Sequence, residues 1–147
     1  MKIIHVNSEK DLNKFNKTIK KGKMMVVFVA DWCSHCQHLK PIWKKMEKAM
    51  KKTNCAKSSM IVMIYSDYRE RVNIPHSCNG YPTIRLYKDG KVLNDWSGDW
   101  RKKGLLLKSA KKFFRSSGTK KRTSKKRTKR RGKPKRRNSY TRKKRRR

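Results

Sequence analysis

Two cysteines separated by two residues, with a tryptophan before them and a histidine between them, form Trp32-Cys33-Ser34-His35-Cys36 in this 147-residue chain. The apolar run Met24 to Ala30 precedes them and reads as a buried strand. Leu39, Ile42, Trp43, Met46, Ala49 and Met50 follow at helical spacing. A cysteine at such a strand-to-helix junction meets the unpaired N–H groups and the positive end of the helix dipole, both of which favour a thiolate. Cys33, expected to be exposed there, is the candidate attacking thiolate, and Cys36, one turn in, the resolving thiol. Cys33, His35, Cys36 and His38 are also metal-ligand types. Four ligands so close along one helix cannot easily close a tetrahedron, and no second C-x-x-C or H-x-H appears, so no metal and no cofactor are expected. Haem attachment needs a histidine directly after the second cysteine, and Gln37 stands there.

The elements that must hold these residues follow from the apolar pattern. Lys2 to Val6 reads as a short strand, and Ser8 to Asp11 as a capping box with Asp in place of Glu or Gln. That box opens a helix with Leu12, Phe15 and Ile19 as its apolar stripe, ended by Gly22. The helix after the cysteines runs to about Lys52 and is expected to kink at Pro41, which lacks an N–H and crowds the preceding turn. Ser59 to Tyr65 is a second continuous apolar strand, suited to a sheet covered on both faces. Asp67 to Ile74 holds a short helix. Tyr81 to Tyr87 alternates like a strand, Lys88-Asp89-Gly90-Lys91 signals a hairpin, and Val92 to Ser97 is the return strand. Leu105, Leu106, Ala110, Phe113 and Phe114 mark the last helix. The order β-α-β-α-β-α-β-β-α predicts an α/β fold, a mixed five-stranded sheet with helices on both faces.

Trp32-Cys33-Ser34-His35-Cys36, Pro41, the Tyr81-Pro82-Thr83 strand entry and the Lys88-Asp89-Gly90 hairpin followed by Gly98 together resemble the thioredoxin superfamily. His35 before the second cysteine and Tyr81 before the proline resemble protein disulfide isomerase catalytic domains in particular. The resemblance implies a thioredoxin fold over residues 1–114 and a thiol–disulfide oxidoreductase or isomerase acting on protein thiols and disulfides. It implies Cys33, Cys36, His35 and Pro82 as catalytic, with Pro82 in cis facing the disulfide. Trp32 and Tyr81 would line the substrate groove. His35, polar and partly cationic, would stabilise the reduced thiolate over the disulfide and make the pair more oxidising. Thioredoxin and protein disulfide isomerase differ by roughly 90 mV, or about 4 kcal/mol for two electrons. Two positions depart from the family pattern. Val27 stands where members usually bury a carboxylate that relays protons to the resolving thiol. Trp100 stands where isomerase domains carry an arginine, leaving Arg101 one step on as a candidate auxiliary residue. Cys78, four residues before Pro82, is a candidate secondary redox thiol. Cys55 and Cys78 lie toward opposite ends of such a sheet, about 20 Å apart, beyond disulfide reach.

Charge divides the chain. Residues 115–147 carry 20 of the 45 Lys and Arg and none of the nine acids, while the preceding 114 residues carry 25 basic and nine acidic side chains. The former are nearly free of apolar side chains and cannot bury enough to fold alone, so a disordered polybasic tail is expected. Its clusters Lys120, Lys121, Arg122; Lys125, Lys126, Arg127; Lys129, Arg130, Arg131; Arg136, Arg137; and Arg145, Arg146, Arg147 are the expected contacts to nucleic acid or another polyanion. Eight phosphate contacts would give a log–log salt slope of roughly −7 on duplex DNA. Tyr140 alone could stack, so binding would be independent of base sequence. A non-catalytic packaging protein using the same fold as scaffold is the rival reading. No apolar stretch is long enough to cross a membrane, and the first residues turn polar too early for a signal peptide. A monomer in the cytoplasm or nucleus is expected. An isomerase-like domain with a protamine-like tail also resembles the thioredoxin-domain proteins of large DNA viruses, which would imply a place in the virion.

Overall fold

A computed structural model of the chain describes residues 1–19 and 22–115. Five strands, β1 (Lys2–Val6), β2 (Lys23–Val29), β3 (Met60–Tyr65), β4 (Thr83–Lys88) and β5 (Lys91–Asp95), form one sheet in the order β1-β3-β2-β4-β5. β3 lies parallel to both β1 and β2, whereas β4 runs antiparallel to β2 and to β5. The central strand β2 is buried from Met24 to Val29, because both of its faces are covered. Met25, Val27 and Val29 face one core with helices α2 (Ser34–Lys51) and α3 (Leu105–Phe114). Met24, Val26 and Phe28 face the other core with α1 (Glu9–Thr18) and the chain around Val72 and Ile74. The architecture is the expected mixed sheet with helices on both faces.

Local chemistry sets the ends of these elements. Ser8 caps α1 by accepting the Asp11 N–H at 3.2 Å. The Asp11 carboxylate, one methylene shorter than the usual Glu, takes the Ser8 hydroxyl at 2.5 Å. Asp89 and Gly90 both have positive φ (52° and 78°), the backbone of a type I′ turn. Asp89 also accepts the Gly22 N–H at 2.8 Å, which fastens that turn to the start of β2.

Two expected boundaries change, those of α1 and β4. α1 ends at Thr18, ahead of Gly22. β4 begins at Thr83, because Tyr81 and Pro82, joined by a cis peptide bond, belong to the loop that enters the strand. The short helix expected within Asp67 to Ile74 is a 3-10 helix over Ser66–Arg71, after which Val72 and Ile74 are buried in the core. As expected, α2 carries Pro41 inside it and runs to Lys51, with Lys52 as its cap, held by a buried stripe of Cys36, Leu39, Trp43, Met46 and Met50. The expected tail residues from Lys120 to Arg147 lie outside the described residues.

Candidate active site

The junction between β2 and α2 places Cys33 at the N-cap of α2, with φ −89° and ψ 112°. Its sulfur does what a capping oxygen does elsewhere, accepting the Cys36 N–H at 3.3 Å. The thiol in turn points at the carbonyl oxygen of Tyr81, 3.5 Å away. These two contacts draw the side chain inward, and Cys33 is 8% exposed where an open position was expected. Cys36, one turn on, is fully buried. Burial pushes its pKa up to about 12, and the hydrogen bond with Cys33 adds to the shift, against the opposing effects of the Ala30 backbone and the Lys40 charge. Both cysteines are free thiols. One sulfur therefore accepts an N–H at the head of the helix, and the other, fully buried, holds its proton tightly.

Tyr81 and Pro82, joined by a cis peptide bond, bring the β4 entry against this sulfur. Trp32 is 79% exposed beside it, with its ring edge-on to Tyr81 at 5.7 Å. His35 lies exposed on the first turn of α2. Trp32, Cys33, His35, Cys36, Tyr81 and Pro82 are thus brought together. Cys78 lies behind Tyr81 on the opposite core. Its sulfur accepts from Arg69 at 3.4 Å, and that guanidinium stands 5.8 Å over the Tyr81 ring. Cys55 packs against the core of α2 and α3, across the sheet from Cys78. Arg101 is not brought to the sulfurs. Its guanidinium lies 5.1 Å over Trp100, on the rim of a recess lined by Ile42, Met46 and Leu106 well down α2. The reason is local: Trp100 packs inward against the core and turns the next residue outward.

Val27 is fully buried opposite Met63 in the β2–β3 register, and both pack in the core that holds Cys36. No carboxylate occupies that interior position. The ionised group whose field reaches Cys36 is Lys40, one turn further along α2. Lys40 bonds Asp31 at 2.8 Å and lies 4.9 Å over the Tyr65 ring, leaving its side chain 18% exposed. A cation held between a carboxylate and an aromatic face stays close to the helix start. Sequence reasoning missed this trio. The i, i+4 spacing of Cys36 and Lys40 was the available signal.

Comparison with known proteins places these residues in a wider set. Residues 4–112 match the thioredoxin family model. A probable protein disulfide-isomerase A4 of Caenorhabditis elegans is 33% identical over 101 residues, 69% of this chain and 15% of that protein. A thioredoxin domain-containing protein of Acanthamoeba polyphaga mimivirus is 31% identical over 87 residues, 57% of this chain and 25% of the viral one. The chain thus spans a quarter or less of these two curated relatives. The solved structure of Fasciola hepatica thioredoxin superposes with a TM-score of 0.54 at 22% identity, covering 75% of this chain and 98% of that one. That likeness is one of fold.

Proposed function

The chain belongs to the thioredoxin family, and from that premise we propose that it is a thiol–disulfide oxidoreductase working through Cys33 and Cys36. The observation that carries this reading is the Cys33 sulfur held between the Cys36 N–H and the Tyr81 carbonyl at the head of α2. In the reducing direction the Cys33 thiolate attacks a substrate disulfide, forming a mixed disulfide and expelling one substrate thiolate, which takes a proton. Cys36 then loses its proton and attacks the Cys33 sulfur. The second substrate thiol leaves and the Cys33–Cys36 disulfide remains, two electrons having passed to the substrate. Oxidation runs the same steps backwards, and in isomerisation another thiolate of the substrate attacks the substrate sulfur of the mixed disulfide, forming a new substrate disulfide and releasing the Cys33 thiolate. His35 on the exposed first turn supports the oxidising and isomerising directions. The basic composition of residues 115–147 supports a second part of the proposal, that the tail ties this domain to nucleic acid or another polyanion in cytoplasm, nucleus or virion.

Turnover of insulin disulfides and of scrambled ribonuclease by the wild type, and its loss in Cys33→Ser, is the expected result. Equal activity in both proteins would overturn the assignment. The apolar Val27–Met63 pair favours one rival reading, a scaffold with little turnover. A wild type that forms the Cys33–Cys36 disulfide but turns over neither substrate would select that rival.

A further inference from the structure

The far end of the α2–α3 layer carries a cluster of cations that the dithiol chemistry does not use. Lys52, Thr53, Lys108, Lys111, Lys112 and Arg115 line a shallow trough of about 770 Å³. All five charged residues are exposed, and among the described residues no carboxylate pairs with any of them. Lys108, Lys111 and Lys112 fall at i, i+3 and i+4 on α3, with Arg115 at its C-cap, on the side away from the buried Leu106, Ala110 and Phe114. A cation near a helix C-terminus is ordinarily explained by the dipole, which accounts for Lys111, Lys112 and Lys52. It does not account for Lys108, in the first turn of α3, where the dipole opposes a positive charge. The next 32 residues, 116–147, carry 19 more Lys and Arg and no acid, joined directly to the edge of this trough at Arg115.

We propose that this trough is a phosphate-backbone site for duplex nucleic acid, continuous with the basic tail, so that the folded domain itself takes part in binding. The inference rests on the polyanion-binding part of the proposed function and assigns it a structured half. Charge complementarity is the argument. Like charges so close repel one another and the adjoining tail until an anion covers them. The α3 stripe is about 10 Å long, and a duplex presents roughly one charge per 1.7 Å of axis, enough to neutralise every cation in it. A membrane-surface site would show apolar side chains between its cations, and this lining has none. α2 separates the trough from Cys33 by its 18 residues, about 27 Å, so a bound duplex leaves the dithiol open.

The test is fluorescence anisotropy of a labelled random-sequence duplex DNA, titrated with the full chain at several salt concentrations. The wild type is compared with a variant carrying Lys52→Gln, Lys108→Gln, Lys111→Gln and Lys112→Gln. A second variant loses the same net charge elsewhere, through Lys10→Gln, Lys14→Gln, Lys17→Gln and Lys91→Gln. Equal thermal midpoints establish that both fold. The trough variant is expected to show a log–log salt slope shallower by about 3 to 4 units, from roughly 0.9 per phosphate contact. Over a fourfold rise in salt the wild type then loses roughly a hundredfold more affinity than that variant. The control variant is expected to keep the wild-type slope. An unchanged slope in the trough variant, or an equal loss in the control, overturns the trough while leaving tail binding intact. A trough variant that loses binding only to phosphatidylserine vesicles overturns it in favour of a membrane. A wild type that binds no duplex overturns both the trough and the tail reading.

Discussion

At the scale of single residues, the proposed resolving role of Cys36 requires its thiol to lose a proton where the interior position beside it is the apolar Val27. Burial holds Cys36 far above the ordinary thiol range, and the Lys40 charge acts in the opposite direction. Lys40 is not free to drift, since Asp31 and the Tyr65 ring fix it. Replacing it by glutamine should raise the Cys36 pKa further and slow the second chemical step, with Cys33 attack little affected. We expect release of the second product thiol from a preformed Cys33 mixed disulfide to slow about tenfold, the equivalent of one pKa unit. The rate should recover as pH rises, because more Cys36 is then ionised, and Lys40→Arg should restore much of it at neutral pH. Stopped-flow measurement of the released thiol provides the check, and a pH profile identical to wild type would remove Lys40 from the mechanism. The sequence spoke clearly for Cys33, Cys36, Tyr81 and Pro82 because a short motif and a fixed strand entry carry them. Lys40 was hidden because its role depends on a partner nine residues back and a ring on β3, a geometry only the folded loop creates. The 8% exposure of Cys33 was hidden for a related reason: Tyr81, in the loop that enters β4 and distant in sequence, supplies the contact that turns the sulfur inward.

At the scale of elements, β4 shows what holds the site strand in place. Tyr87 is fully buried on β4, and its hydroxyl donates to the Pro75 carbonyl at 2.5 Å, tying down the segment that leads to Cys78 and Tyr81. Burial pushes its pKa up to about 12. The folded state therefore holds this proton more tightly than the unfolded chain, whose tyrosine titrates near 10. The contribution is complete below about pH 10 and is lost as pH rises toward 12. Tyr87→Phe should cost about 1 kcal/mol at neutral pH through the orphaned carbonyl. Its thermal midpoint should then fall less steeply than that of wild type between pH 10 and 12, which differential scanning fluorimetry resolves; parallel curves would contradict this role. Sequence patterns located β2, β3 and α3 well because continuous or helically spaced apolar runs have one good way to be buried. They placed a short helix within residues 67–74 without its 3-10 form or its end at Arg71, because the core side chains that follow, Val72 and Ile74, have no period to signal it. They also extended β4 back to Tyr81, since alternation cannot distinguish a strand residue from a loop residue that points the same way.

At the scale of the whole molecule, the dithiol and the cationic trough occupy opposite ends of α2, and the question is whether one senses the other. Two unit charges about 27 Å apart in water interact by only about 0.15 kcal/mol before screening. The Debye length at physiological salt is about 8 Å, so that interaction falls by more than an order of magnitude. Even some ten phosphates seated in the trough would move the balance between thiolate and disulfide by less than about 0.1 kcal/mol, or a few millivolts for a two-electron couple. The Cys33–Cys36 reduction potential, measured in glutathione buffers, should therefore be the same within about 5 mV with and without saturating duplex DNA at physiological salt. Insulin turnover should likewise be unchanged. A displacement of 30 mV or more would mean that nucleic acid reaches the head of α2, through the tail or a second contact. The two ends would then act as a coupled device in place of a domain that is tethered at one end and reactive at the other.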